Sequence, residues 1–157
     1  MSIAPIRHSV DVKGTPEQAF MLFATRMGEW WPKNMTPGEG LMTDMVIEPR
    51  TGGKFYEVKA DGTHHQYGTV LAWNPPGQLL IGWQLGKDWK FDPDLVTEVE
   101  LTFEPAGEGR TRMTLEHRHL ERFGAIAQER RAQLDGGWPT RIADFVAFAD
   151  DNASANA

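Results

Sequence analysis

His117 and His119 stand two residues apart at the end of an alternating stretch, and in a strand that spacing turns both imidazoles to one face. From Arg110 onward, Thr111, Met113, Leu115, His117 and His119 share one parity, while Arg112, Thr114, Glu116 and Arg118 share the other. The imidazoles therefore fall in line with Met113 and Leu115, towards an interior. His8 has the same relation to Ile6, Val10 and Val12 in the opening segment. An imidazole so placed can orient a carboxylate or carbonyl, or act as a general acid/base, since it titrates near neutral pH. Equally, each can be a core histidine satisfied by backbone carbonyls or by Glu and Arg neighbours, with His119 exposed at the strand end. Glu57 is a second candidate, in Gly53-Lys54-Phe55-Tyr56-Glu57. Alternation sends either Tyr56 or Glu57 inward, and an inward Glu57 would partner a histidine, an arginine or a ligand. A metal site would need a third ligand and outer support beside His117 and His119. We read no metal and no cofactor from the sequence.

Six tryptophans supply large rigid surfaces, of which Trp30, Trp31, Trp73, Trp83 and Trp138 could line a cavity or fill a core. Trp83 shares a face with Leu79, Ile81 and Leu85. Trp138 belongs to a stripe of Leu134, Trp138, Ile142, Phe145 and Ala149 stepping by three or four along one helix face. The segment Asp135-Gly136-Gly137-Trp138-Pro139 breaks this helical pattern, because glycine weakens a helix and proline removes an amide donor. It reads as a kink, or as a junction between two helical segments. Glu121, Arg122, Glu129, Arg130 and Arg131 read as the wet face of the same helix.

These residues require elements to hold them. Residues 6–12 alternate as a half-buried strand. Thr15-Pro16-Glu17-Gln18 follows as a helix start, in which the Thr15 hydroxyl caps and Gln18 closes a capping box. Ala19, Phe20, Phe23 and Met27 form the buried stripe of a short helix, which Trp30-Trp31-Pro32 ends. Residues 33–43 read as a loop. Strands are then expected at 45–48, 54–59, 66–73, 79–85, 95–104 and 110–119, separated by turn signals such as Ala60-Asp61-Gly62 and Asn74-Pro75-Pro76-Gly77. A helix over 123–150 completes the domain, 1–150, and the polar residues 151–157 read as a disordered tail. Consecutive hairpins with segregated helices make an α+β fold whose sheet is antiparallel.

The length of 157 residues suits one domain that buries about two-thirds of its unfolded surface. Cysteine is absent, which excludes disulfides, thiolate metal sites and a cysteine nucleophile. A net charge of −6 argues against nucleic-acid binding. No apolar window approaches the roughly 18 residues of a membrane span, and residues 1–12 hold no signal-peptide core. We read a cytoplasmic protein with neither nucleic-acid nor membrane partner. Walker, GxGxxG, GxSxG and HExxH motifs are missing, so phosphate binding, hydride transfer and serine or zinc hydrolysis have no support.

Four stretches carry a resemblance: SVDVKGTPEQAFMLFATRMGEWWP, GGKFYEVKADGTHHQYGTVLAWNPPGQLLIGWQL, EVELTFEPAGEGRTRMTLEHRHLERFG and LDGGWPTRIADFVAFA. They are similar to the SRPBCC superfamily of START-like and birch-pollen-allergen-like proteins. Within it they resemble the bacterial heat-shock-protein ATPase activator (Aha-type) family. The resemblance implies a helix-grip fold, a curved sheet of six to seven strands around a long C-terminal helix, with a short helical pair after the first strand. It implies three functions. The first is binding of a small hydrophobic or amphipathic ligand, with Trp83, Trp138, Leu101, Phe103, Met113 and Phe145 as apolar wall and His117, His8 and Glu57 orienting its polar end. The second is a cyclase- or dehydratase-type enzyme using His117 as general acid/base beside Glu57. The third is a co-chaperone-like or stress-response interaction module. A homodimer through strand edges or tryptophans is compatible with each.

Overall fold

The computed structural model describes residues 3–33 and 41–155. Alternation becomes seven strands: β1 (Ile6–Lys13), β2 (Met42–Ile47), β3 (Lys54–Lys59), β4 (His64–Asn74), β5 (Gln78–Trp83), β6 (Thr97–Pro105) and β7 (Arg110–Arg118). All pair antiparallel in one curled sheet of order β1-β7-β6-β5-β4-β3-β2. Strands β2 to β7 follow one another by hairpins, and β1 pairs with β7. Most of the expected 33–43 loop lies outside the described residues, and β2 starts inside its end, at Met42.

Between β1 and β2 lie α1 (Pro16–Thr25) and α2 (Met27–Trp30). The start of α1 is fixed as its sequence requires. The Thr15 hydroxyl accepts from the Gln18 amide at 3.2 Å, and the Gln18 side chain accepts from the Thr15 amide at 3.0 Å. A 3-10 segment, Leu120–Ile126, leads into α3 (Ala127–Ala155).

Two features of α3 correct the sequence reading. The helix runs unbroken past Gly136, Gly137 and Pro139, where an interruption was expected. Leu134, Trp138, Ile142 and Phe145 are all buried on one face, and that packing outweighs the local cost of two glycines and one lost amide bond. The helix also continues to Ala155, through most of the segment read as a tail from 151. Its end is tied down: the Asn152 side chain accepts from Arg26 and donates to the Phe148 carbonyl, and Asp150 accepts from the Lys13 amide.

The strand register divides the interior into two ends. At one, Leu79 pairs with Leu101, Leu101 with Leu115, and Phe103 with Met113. At the other, Glu57 pairs with His65, Gly68 with Trp83, Trp83 with Thr97, and Val99 with His117. Antiparallel pairing thus collects the polar inward residues of four different strands at a single end of the sheet. Gly68 is required there, because a Cβ on it would overlap the Gly82 carbonyl oxygen.

Candidate functional site

His117 is completely buried on β7, and both of its ring nitrogens are engaged. The Trp138 indole N–H donates to Nδ1 at 3.2 Å, which makes Nδ1 the acceptor. Nε2 therefore carries the proton and donates to the Thr97 hydroxyl at 2.8 Å, and that hydroxyl donates to the Trp83 carbonyl at 2.8 Å. Each donor along the relay, from the Trp138 indole through His117 and Thr97 to the Trp83 carbonyl, meets an acceptor. Burial, with the nearby Arg141 charge, pulls the imidazole pKa down from 6.5 to about 3, so it is neutral at physiological pH. The relay ties α3 to β5, β6 and β7.

Around it runs a belt of rings. Trp83 lies 5.4 Å from Trp138 and 5.7 Å from Tyr67 between ring centroids, and Trp31 lies 6.3 Å from both Tyr67 and Trp138. Into this belt α3 projects Arg141, whose side chain is 7 % exposed. Its guanidinium carbon sits 5.0, 5.3 and 5.9 Å from the Trp31, Trp138 and Trp83 ring centroids. Stacking on indole faces stabilises a cation by about 0.5–2 kcal/mol per contact. Among the described residues no carboxylate pairs with it, and its Nε finds no acceptor. The Trp31 and Trp83 indole nitrogens are likewise buried donors without an acceptor. Burial lowers the Arg141 pKa to about 10, which still leaves it charged at neutral pH.

Glu57 is the inward residue of its pair with Tyr56, and it is fully buried. The Tyr67 hydroxyl donates to its Oε1 at 3.3 Å, Lys59 Nζ is 3.3 Å from Oε2, and His65 Nδ1 is 3.7 Å from Oε1. Burial and the adjacent Glu57 charge raise the Tyr67 phenol pKa, so Tyr67 stays protonated. Glu57 and His117 thus belong to separate hydrogen-bonded groups at this end of the sheet.

The remaining sequence candidates fall elsewhere. Leu101, Phe103, Met113 and Phe145 are buried, but Phe103 packs edge-on against Phe20 and Phe23, and Phe145 against Phe23 and Trp30. They belong to the apolar end. His8 faces Asp135, 3.6 Å away, and lines an apolar surface groove of about 480 Å³ with Pro139, Ile142 and Val146, where α3 crosses the edge strand β1. His119 follows β7 in a left-handed conformation (φ 63°), half-exposed and 3.7 Å from Glu98. Among the described residues no three histidine or acidic side chains gather as metal ligands, and no helix is long and apolar enough to cross a membrane.

Two arginines escaped the sequence reading. Arg141 is three residues after Trp138 and four before Phe145, which puts it on the inner stripe. A charge interrupting an apolar stripe was the available signal. Arg130, expected on the wet face, is instead buried. Its Nη1 donates to the Leu85 and Gly86 carbonyls at 3.1 and 3.0 Å, and its guanidinium stacks 3.8 Å over Trp89. The pinned β5–β6 connection in turn offers the Trp89 carbonyl to His65 Nε2 at 3.1 Å, beside Glu57. Those carbonyls exist only once the connection has folded, so no local pattern announces them.

Comparison with known proteins agrees with this architecture. An anthrahydroquino-gamma-pyrone synthase, Txn09, solved in complex with SUM, is 34 % identical over 93 % of this chain and 97 % of its own, with a TM-score of 0.67. A self-sacrificing resistance protein, CalC from Micromonospora echinospora, is also 34 % identical, over 94 % of this chain and 95 % of its own, with a TM-score of 0.73. The Aha1 dimer from Colwellia psychrerythraea shares the fold at 14 % identity, over 94 % and 97 % of the two chains, with a TM-score of 0.66. No curated protein matches significantly. The family model described as activator of Hsp90 ATPase homolog 1-like protein matches residues 13–149, and the chain belongs to that family.

Proposed function

We propose that this protein binds a small, largely aromatic ligand in its interior, at the polar end of the ring belt between the sheet and α3. One observation carries the reading. Buried N–H donors on Trp31, Trp83 and Arg141 stand on a single belt with no acceptor among the described residues. Buried donors are normally satisfied, and leaving one unmet costs about 1–3 kcal/mol. An apolar wall with a few convergent polar groups is the usual composition of a ligand site. The role first given to His117 passes to these donors, because its own nitrogens are committed to Trp138 and Thr97. The 34 % identity to an anthrahydroquino-gamma-pyrone synthase supports a planar, oxygenated aromatic as the ligand.

The same likeness favours a second reading, in which the ligand is transformed. Proton transfer would then fall to Tyr67 and Glu57, whose hydrogen bond adjoins the belt, and His117→Gln would leave turnover in place. A partner-docking role has less support. The large exposed apolar side chains among the described residues are Met21 and Leu41, on separate segments, short of a contiguous face.

Native mass spectrometry of the protein purified from its own host, followed by organic extraction, tests the binding reading. A retained small-molecule adduct that disappears in Trp83→Ala is expected. A bare mass, unshifted by a panel of aromatic and lipid compounds, would overturn it.

A further inference from the structure

We propose that Arg141 anchors an anion subsite, and that the ligand carries a deprotonated acidic oxygen, a carboxylate or phenolate, which accepts from Arg141 together with the Trp31 and Trp83 indole N–H groups. This rests on the binding reading above and adds the chemical class of the ligand.

The argument begins with what Arg141 lacks. A buried guanidinium ordinarily meets a carboxylate or several carbonyls. Arg130, three turns earlier on the same side of α3, shows that pattern, with two backbone carbonyls on its Nη1 and a side-chain bond to Gln133. Arg141 is as deeply placed and has neither. The ionisable groups around it do not supply a negative charge. Tyr67 remains a neutral phenol, His117 a neutral imidazole, and the Glu57 carboxylate is shared among Tyr67, Lys59 and His65. What surrounds the cation is indole faces, which hold it in position without neutralising it. An arginine positioned and left unneutralised is matched by an anion, and a guanidinium binds carboxylate oxygens through paired N–H donors. Two orphan indole donors beside it extend the acceptor site. Donors alone would serve a neutral carbonyl; the uncompensated charge selects the anion.

The test is calorimetric titration with a matched pair, anthraquinone-2-carboxylate and anthraquinone-2-carboxamide, against the wild type, Arg141→Lys and Arg141→Met. We expect the acid to bind the wild type about tenfold to hundredfold more tightly than the amide, the range for a hydrogen bond to a charged partner. Arg141→Lys should keep part of that preference and Arg141→Met should abolish it, acid and amide then binding alike. Equal binding of acid and amide by the wild type would overturn the anion subsite and leave the binding reading standing. A preference that survives Arg141→Met would overturn it by moving the anion to another group. Binding of neither compound would contradict both.

Discussion

Trp30 and Trp31 are neighbours in the chain, their ring centroids 5.7 Å apart, and they turn towards opposite ends of one interior. The Trp30 indole packs against Phe23 and Phe145 and donates to the Leu22 carbonyl at 3.3 Å. Around it, Phe20, Phe23 and Phe103 interlock edge-to-face, with no buried charge among the described residues of this end. The Trp31 indole faces Trp138, Tyr67 and Arg141, and its N–H meets no acceptor among the described residues. The first end has the composition of a core and satisfies its polar atoms. The second gathers Glu57, Lys59, His117 and Arg141 in the same sheet-and-helix envelope and leaves donors open. A core shaped by stability alone would not keep the second arrangement, and this contrast supports the proposed ligand site at the polar end.

The comparison can be broken from either side. The largest effect is expected at the apolar end. Phe23→Ala removes a ring in contact with Trp30, Phe103 and Phe145, and should lower unfolding free energy by about 3–5 kcal/mol in urea melts while ligand affinity stays unchanged. A change in affinity larger than the change in stability would erase the division.

Acid should act next, through the polar end. The His117 pKa is about 3 in the folded protein against 6.5 ordinarily, so the unfolded chain binds the extra proton between those values. Stability is therefore full above about pH 6.5 and falls as pH drops towards 3, by on the order of 4 kcal/mol in total. His117→Gln, whose amide can still accept from Trp138 and donate to Thr97, should flatten that slope in melts at pH 4 and pH 7. An unchanged slope would mean that His117 is not the buried neutral group described here.

Arg141→Met should stabilise the ligand-free protein by about 1–3 kcal/mol, because it removes a buried charge that no carboxylate offsets. In a domain of this size that raises Tm by a few degrees. A lower Tm would make Arg141 a structural cation held by its indoles. The smallest expected difference compares two identical substitutions. Trp30→Phe forfeits a hydrogen bond and Trp31→Phe does not, so the first should cost about 1 kcal/mol more than the second. Equal costs would show that the two indoles are equally satisfied.

Much of the fold was legible because its signals are local. The period-two runs of β6 and β7, the Thr15 capping box and the 134–149 stripe each arise from a few adjacent residues, and each recurs in the structure. The run through Pro139 was not legible, because helix continuity there depends on what the far wall offers Trp138 and Phe145. The site was read in part. Alternation brought Trp83 and His117 inward and left Glu57 open against Tyr56, and alternation cannot distinguish a satisfied side chain from an open one. Whether His117 keeps a free nitrogen depends on Thr97, twenty residues earlier, and on Trp138, twenty-one residues later. Arg141 was not legible because a helical arginine two residues after a proline reads as surface until the three indoles around it are known.

The measurement that bears most directly on the division is the indole N–H region of a ¹H–¹⁵N correlation spectrum, recorded as anthraquinone-2-carboxylate is titrated into the protein. Each of the six tryptophans contributes one resonance. The Trp31 and Trp83 resonances should shift as their open donors gain an acceptor, while Trp30, already bonded to Leu22, stays in place. Shifts confined to Trp30 and Trp73, or a spectrum that does not change, would contradict a ligand site at the polar end.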